Sequence, residues 1–179
     1  MGIDFDQGIR HPSVLPNNGR TGNRTAQRAN LWRMETWELV ARESIRDLVA
    51  RYNANGDSGR FDEVISLFAP HAVMEVGGSA YEGREAIRTI FTSTRSSVLE
   101  HAERPSLRHF TATLQIDVAG RATATSRCYY QVLMPHGLDH WGRYLDEFGV
   151  VDERWCFTRR KVLTDGATPG GWADSLPTA

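Results

Sequence analysis

Between residues 109 and 118 the chain alternates without a break: Phe110, Ala112, Leu114, Ile116 and Val118 are apolar, while His109, Thr111, Thr113, Gln115 and Asp117 are polar. A sustained period of two is the pattern of a β-strand with one buried face. Ala119-Gly120-Arg121 then turns the chain. Further strands are expected over 122–134, 140–150 and 154–163, the last two separated by Asp152-Glu153. Long strands joined by such short turns pair as an antiparallel meander, and one face of that sheet needs a cover.

The cover lies upstream. Ala41, Ile45, Leu48 and Tyr52 are spaced four, three and four apart, one stripe of an α-helix, with Arg42, Glu43, Arg46 and Asp47 on the other face. Asn55-Gly56 is expected to stop this helix. Phe61, Val64, Ile65 and Phe68 repeat the helical spacing up to Pro70, and Ile87, Ile90 and Phe91 mark a third stripe. A short strand, 73–76, ends at Gly77-Gly78. Helices followed by a meander give an α+β fold, with three N-terminal helices packed on one face of a curved antiparallel sheet. On this reading Ile45, Leu48, Phe61, Val64 and Phe68 are buried against the sheet. The row Phe110, Ala112, Leu114 and Ile116 lies opposite His109, so it needs a second cover, a homodimer or homotrimer, unless a bulge turns it inward. Residues 1–33, rich in Gly, Asn, Arg and Pro, read as an extended arm, residues 34–165 as the domain, and residues 166–179 as an irregular tail.

Charge narrows the partners. With 21 basic and 22 acidic residues the net charge is -1, which gives no general attraction to nucleic acid or to an anionic membrane. Two cysteines, Cys128 and Cys156, make no disulfide framework. No apolar run reaches the roughly 20 residues needed to span a bilayer, and a signal-peptide pattern is absent, so a cytoplasmic protein with a small apolar partner is expected. His101, His136, His140 and Asp139 show no metal-ligand spacing, nor is there a phosphate loop or a nucleophile motif. Neither a metal nor a cofactor is expected.

Several segments resemble SnoaL-like proteins of the superfamily that includes nuclear transport factor 2, scytalone dehydratase and ketosteroid isomerase. They are RESIRDLV at 42–49 with Tyr52 and Asp57, FDEVISLFAPHAV at 61–73, YEGREAI at 81–87, RHF at 108–110, GRYLD at 142–146 and RWCFTRR at 154–160. Together they cover about residues 36–164. The resemblance implies a cone-shaped, cystatin-like roll. It also implies an Asp and His pair in the pocket, as in scytalone dehydratase, bile-acid dehydratase and hexachlorocyclohexane dehydrochlorinase, which falls on Asp57 and His109. By the same likeness a pocket arginine falls on Arg160 and a dehydratase tyrosine on Tyr52. The dehydrochlorinase has a lysine at or near the Tyr52 position, so dechlorination is not implied, and Pro70-His71 replaces the usual acidic residue after Phe-Ala.

The chemistry of such a set is that of a cofactor-independent lyase or isomerase acting on an apolar, cyclic hydroxyl or carbonyl compound. An imidazole takes a carbon-bound proton, a carboxylate on its other nitrogen fixes the tautomer, and Arg160 with the Tyr52 hydroxyl meets the charge that develops. Each residue also has a plainer role open to it. Asp57 can cap the following helix by accepting amides near Arg60, His109 can face solvent on its strand, Tyr52 can be core, and Arg160 can pair with Asp146 at the surface. The small subunit of a ring-hydroxylating dioxygenase and a ligand-binding module without turnover remain open as alternatives.

Overall fold

The computed structural model describes residues 34–101, without the His101 side chain, and 106–174. The arm expected at 1–33, the His101 side chain and residues 175–179 lie outside the described residues. The elements run α1 (Thr36–Asp57), α2 (Phe61–Ser66), β1 (Phe68–Val76), β2 (Ser79–Glu82), α3 (Gly83–His101), β3 (Arg108–Val118), β4 (Thr123–Met134), β5 (Gly137–Val151) and β6 (Arg154–Ala167). Six strands form one curved sheet in the order β2-β1-β6-β5-β4-β3. The fold is α+β, with helices on the sheet's inner face.

Helix α1 buries Ala41, Ile45, Leu48, Val49, Tyr52 and Asn53, the apolar stripe read from the sequence with two neighbours. Each aliphatic side chain buried there contributes about 1.5–3 kcal/mol. The helix runs on past Asn55-Gly56 and stops at Ser58-Gly59, where Gly59 takes φ 69° and the Arg60 N–H returns to the Asn55 carbonyl. Asp57 is therefore the last residue of α1, not a residue between helices.

Helix α2 ends at Ser66, earlier than its apolar spacing suggests, and Phe68 opens β1. The Phe157 N–H donates to the Leu67 carbonyl at 2.9 Å, so β6 captures the chain before another helical turn can form. β1 and β6 are parallel, with a register shift between Phe68 and Val73 that accommodates Pro70, which has no N–H to give. This pairing is the parallel exception to the antiparallel sheet. Ile45, Val64 and Phe68 are fully buried and Leu48 nearly so, while Phe61 is only half-buried.

The β3 row expected on one face is split by a bulge. Thr113 has φ 56°, and the pairing jumps from Ala112↔Tyr129 to Gln115↔Arg127, two residues of β3 against one of β4. Phe110 and Ala112 stay on the outer face with Tyr129, whereas Leu114, Ile116 and Val118 turn inward onto the core. β6 extends to Ala167, so the irregular tail starts two residues later than expected.

Candidate active site

Helix α1 lies along β3 and is fastened to it at both ends. Near its start the Arg42 Nη1 donates to the Ile116 carbonyl, and at its end Asp57 meets His109. His109 is the second residue of β3 and pairs with the fully buried Val132, which aims its side chain to the inner face. The Asp57 carboxylate brackets it. Oδ2 accepts the His109 backbone N–H at 2.9 Å, and Oδ1 lies 2.6 Å from the ring Nδ1. The two side chains are 10% and 22% exposed, so water competes weakly for the carboxylate.

An ionised carboxylate only accepts, so the hydrogen-bond network places the proton on Nδ1 and leaves the Nε2 lone pair open. Charge-assisted bonds of this kind contribute about 1.5–3 kcal/mol each. The capping role is not the one adopted: the N-cap of α2 is Arg60, with no side-chain cap, and both Asp57 oxygens are engaged by His109. Both elements must be in place for the contact to exist, since Asp57 and His109 are 52 residues apart in the chain.

Tyr52 and Arg160 form a second, deeper assembly. The Arg160 guanidinium is fully buried, donates from Nε and Nη2 to the two Asp146 oxygens at 2.8 Å each, and lies 3.9 Å from the Tyr52 ring centroid. Tyr144 and Phe157 flank it at 4.3 Å. Burial works against the arginine's charge, but Asp146 more than offsets it and holds the group cationic. Burial also pushes the Tyr52 phenol up, so it stays protonated. The Arg160–Asp146 pair is thus a core pair, not the surface pair open to the sequence. Nη1 is buried without a partner among the described residues.

No hydrogen bond or ion pair links the two assemblies among the described residues. Aromatic rings do. The Tyr130 centroid is 6.4 Å from His109 and stacks on Tyr144 at 4.5 Å, and Tyr144 in turn touches Arg160. Tyr130 can lie across β5 because Gly142 has no side chain: a Cβ there would sit 2.9 Å from the tyrosine ring and 1.9 Å from the Leu163 carbonyl oxygen. The sequence reading missed Tyr130, although the alternation of β4 places it on the inner face with Cys128 and Val132. It weighed Asp139 and His140 only as metal ligands, whereas both are buried at the start of β5.

Among the described residues no group of three or more His, Cys, Asp or Glu side chains is placed to hold a metal ion. Two open hollows of about 350 and 360 Å³ lie elsewhere, one beside the Gly77-Gly78 turn and one on the outer face by Phe110, Tyr129 and Trp141. Neither is lined by Asp57 or His109.

Comparisons with known proteins agree with this architecture. The family profile of the SnoaL-like domain matches residues 37–161. Among curated proteins, no sequence matches the chain. A protein of Novosphingobium aromaticivorans provisionally assigned as a scytalone dehydratase superposes with a TM-score of 0.66 at 20% identity, covering 75% of this chain and 91% of its own. A Nostoc punctiforme protein of unknown function with a cystatin-like fold gives 0.63 at 18% identity, covering 76% and 97%. The provisionally assigned beta subunit of an aromatic-ring-hydroxylating dioxygenase from Novosphingobium aromaticivorans gives 0.59 at 16%, covering 73% and 92%.

Proposed function

The chain belongs to the SnoaL-like family, and from that premise we propose that it is a cofactor-independent lyase or isomerase of the dehydratase type. The observation that carries the reading is the two-point hold of Asp57 on His109. It presents Nε2 as a fixed base, and the carboxylate stabilises the imidazolium that forms. In a dehydration the C–H bond breaks toward Nε2, its electron pair forms the new double bond, and the C–O bond breaks. The imidazolium then returns the proton to the departing hydroxide as water. Arg160 and Tyr52 complete the proposed site, with the unpartnered Nη1 as the donor available to developing negative charge.

The ligand proposed is a small, mainly apolar ring compound with a hydroxyl or carbonyl group, because the aromatic cluster of Tyr130, Tyr144 and Trp172 packs beside His109. No nucleic acid or membrane partner is proposed, and no helix among the described residues is long and apolar enough to cross a membrane. A cytoplasmic setting is part of the same proposal. So is self-assembly: Phe110 and Tyr129, 51% and 57% exposed, with Leu138, Trp141 and Leu145, form an outer apolar face for a second copy in a homodimer or homotrimer. The dioxygenase-subunit reading has the shared fold in its support but gives the Asp57–His109 hold no work.

The test is turnover by the purified chain of a panel of cyclic β-hydroxy ketones, read as loss of water by mass spectrometry. Product from the native chain, lowered about a hundredfold or more in His109→Ala, is expected. Equal product from both variants would end the acid–base reading. Absence of product throughout, with co-purification of a large iron–sulfur subunit, would favour the dioxygenase subunit.

A further inference from the structure

A second carboxylate-held imidazole stands on the far side of Tyr130. Asp139 is fully buried, and its Oδ1 lies 2.7 Å from the His140 Nδ1. The same carboxylate accepts the backbone N–H groups of Trp172 and Ala173 at 2.7 and 3.2 Å and has the His136 Nε2 at 3.2 Å. Gly171 makes this approach feasible, since a Cβ there would lie 2.7 Å from the Asp139 Oδ2. Asp139 therefore ties the segment after β6 to the start of β5 and fixes the His140 ring at the junction.

With Nδ1–H given to the carboxylate, the His140 Nε2 is a lone-pair acceptor. It has no hydrogen-bond partner among the described residues. The His140 side chain is 9% exposed, so the ring is not wholly enclosed. Burial lowers the affinity of His140 for a second proton, against the pull of Asp139, and this keeps the acceptor free near neutral pH. The Tyr130 ring centroid is 5.9 Å from His140 and 6.4 Å from His109, so both imidazoles border one phenol. Trp172 covers His140 at 5.7 Å and anchors its indole N–H on Ser97 of α3 at 3.0 Å.

We propose that His140 is a further ligand-facing residue of the site, whose Nε2 accepts a hydrogen bond from a hydroxyl of the ring compound that presents its acidic C–H to His109. Asp139 is the positioning residue for it. The inference rests on the reading of Asp57–His109 as the base, and it narrows the substrate to ring compounds that bear a free hydroxyl. A purely packing histidine does not need a lone pair kept open beside a catalytic pair. A hydroxyl-lacking analogue that fills the site leaves that lone pair unsatisfied, which is the basis of the selectivity.

The test uses ¹⁵N-histidine-labelled native chain with phenol as the probe and fluorobenzene as the hydroxyl-free control of similar shape. The His140 Nε2 resonance should start in the unprotonated, acceptor range and move with phenol, several-fold more than with fluorobenzene. His140→Leu should lower phenol affinity about tenfold, as loss of one hydrogen bond to a buried group does, with little change for fluorobenzene. An Nε2 that already carries a proton, or one that stays put under phenol or moves equally with both probes, overturns the proposal, and the native spectrum gives this answer even when the variant does not fold. The base reading is scored separately, by loss of carbon-bound deuterium from a ketone. Deuterium loss with an insensitive His140 sinks this inference alone, whereas a responsive His140 without deuterium loss sinks the base and leaves His140 as a binding residue.

Discussion

Replacing Asp57 with asparagine keeps the size of the side chain and removes its charge, which isolates what the carboxylate does for His109. The native carboxylate accepts twice, from the backbone N–H at 2.9 Å and from Nδ1 at 2.6 Å. An amide has one acceptor oxygen. If that oxygen keeps the backbone N–H, the amide NH₂ faces Nδ1, and the ring must move its proton to Nε2 to accept. The open lone pair is then gone. Loss of the tautomer and of the charge that stabilises the imidazolium should lower proton abstraction by about 10²–10⁴-fold. Stability should fall by about 1–3 kcal/mol, since one charge-assisted bond at a mostly buried site is lost. The assay pairs the turnover rate with urea denaturation and with the histidine ¹⁵N spectrum. A folded Asp57→Asn chain with native turnover, or with the Nδ1–H tautomer retained at His109, would refute the reasoning.

Asp146→Ala leaves the fully buried Arg160 charge without its partner and should cost about 3–5 kcal/mol in urea denaturation, far above the value of a surface pair. Gly142→Ala forces a Cβ against the Leu163 carbonyl and the Tyr130 ring and should destabilise by about 1–3 kcal/mol or more, with a changed near-ultraviolet dichroism spectrum from the tyrosines. For pH, the His140 affinity for protons is depressed in the folded chain by burial. The unfolded chain therefore binds more protons below about pH 6.5, so stability present above that value is lost as pH falls through the window beneath it. His140→Gln should flatten this part of the stability curve, measured by urea midpoints from pH 5 to 8.

Local periodicity made much of the scaffold legible. The stripe Ala41, Ile45, Leu48, Tyr52 faces the core as read, and the strand expected over 122–134 is β4. Where local pattern and tertiary pairing compete, the pattern misleads. Phe68 satisfies a helical spacing with Phe61 and Val64, yet β6 takes the chain at Leu67 and makes it a strand residue. The left-handed Thr113 carries no sequence mark, because a bulge at a threonine is imposed by what β3 packs on.

The Asp57–His109 meeting was readable from resemblance and position, a carboxylate near the end of a helix and a histidine at the start of a strand. The burial of Arg160 was not, since alternation assigns a strand residue to a face but does not say how deeply that face is enclosed. Asp139 and His140 were weighed only as metal ligands, and the strand expected from residue 140 begins three residues earlier, at Gly137, so that Asp139 belongs to β5. What makes them a pair is the return of Trp172, 33 residues away from Asp139, and no local pattern carries that.

The central claim is that the Asp57-held Nε2 of His109 takes a proton from carbon, and exchange at that carbon reads it most directly. A cyclic ketone deuterated beside its carbonyl is incubated with the native chain and with His109→Ala in ordinary water, and carbon-bound deuterium is followed by mass spectrometry. The account predicts enzyme-dependent loss of deuterium from the native reaction and loss slower by about a hundredfold or more with His109→Ala, whose circular dichroism should match the native chain. Equal rates of loss from the two folded proteins would contradict it.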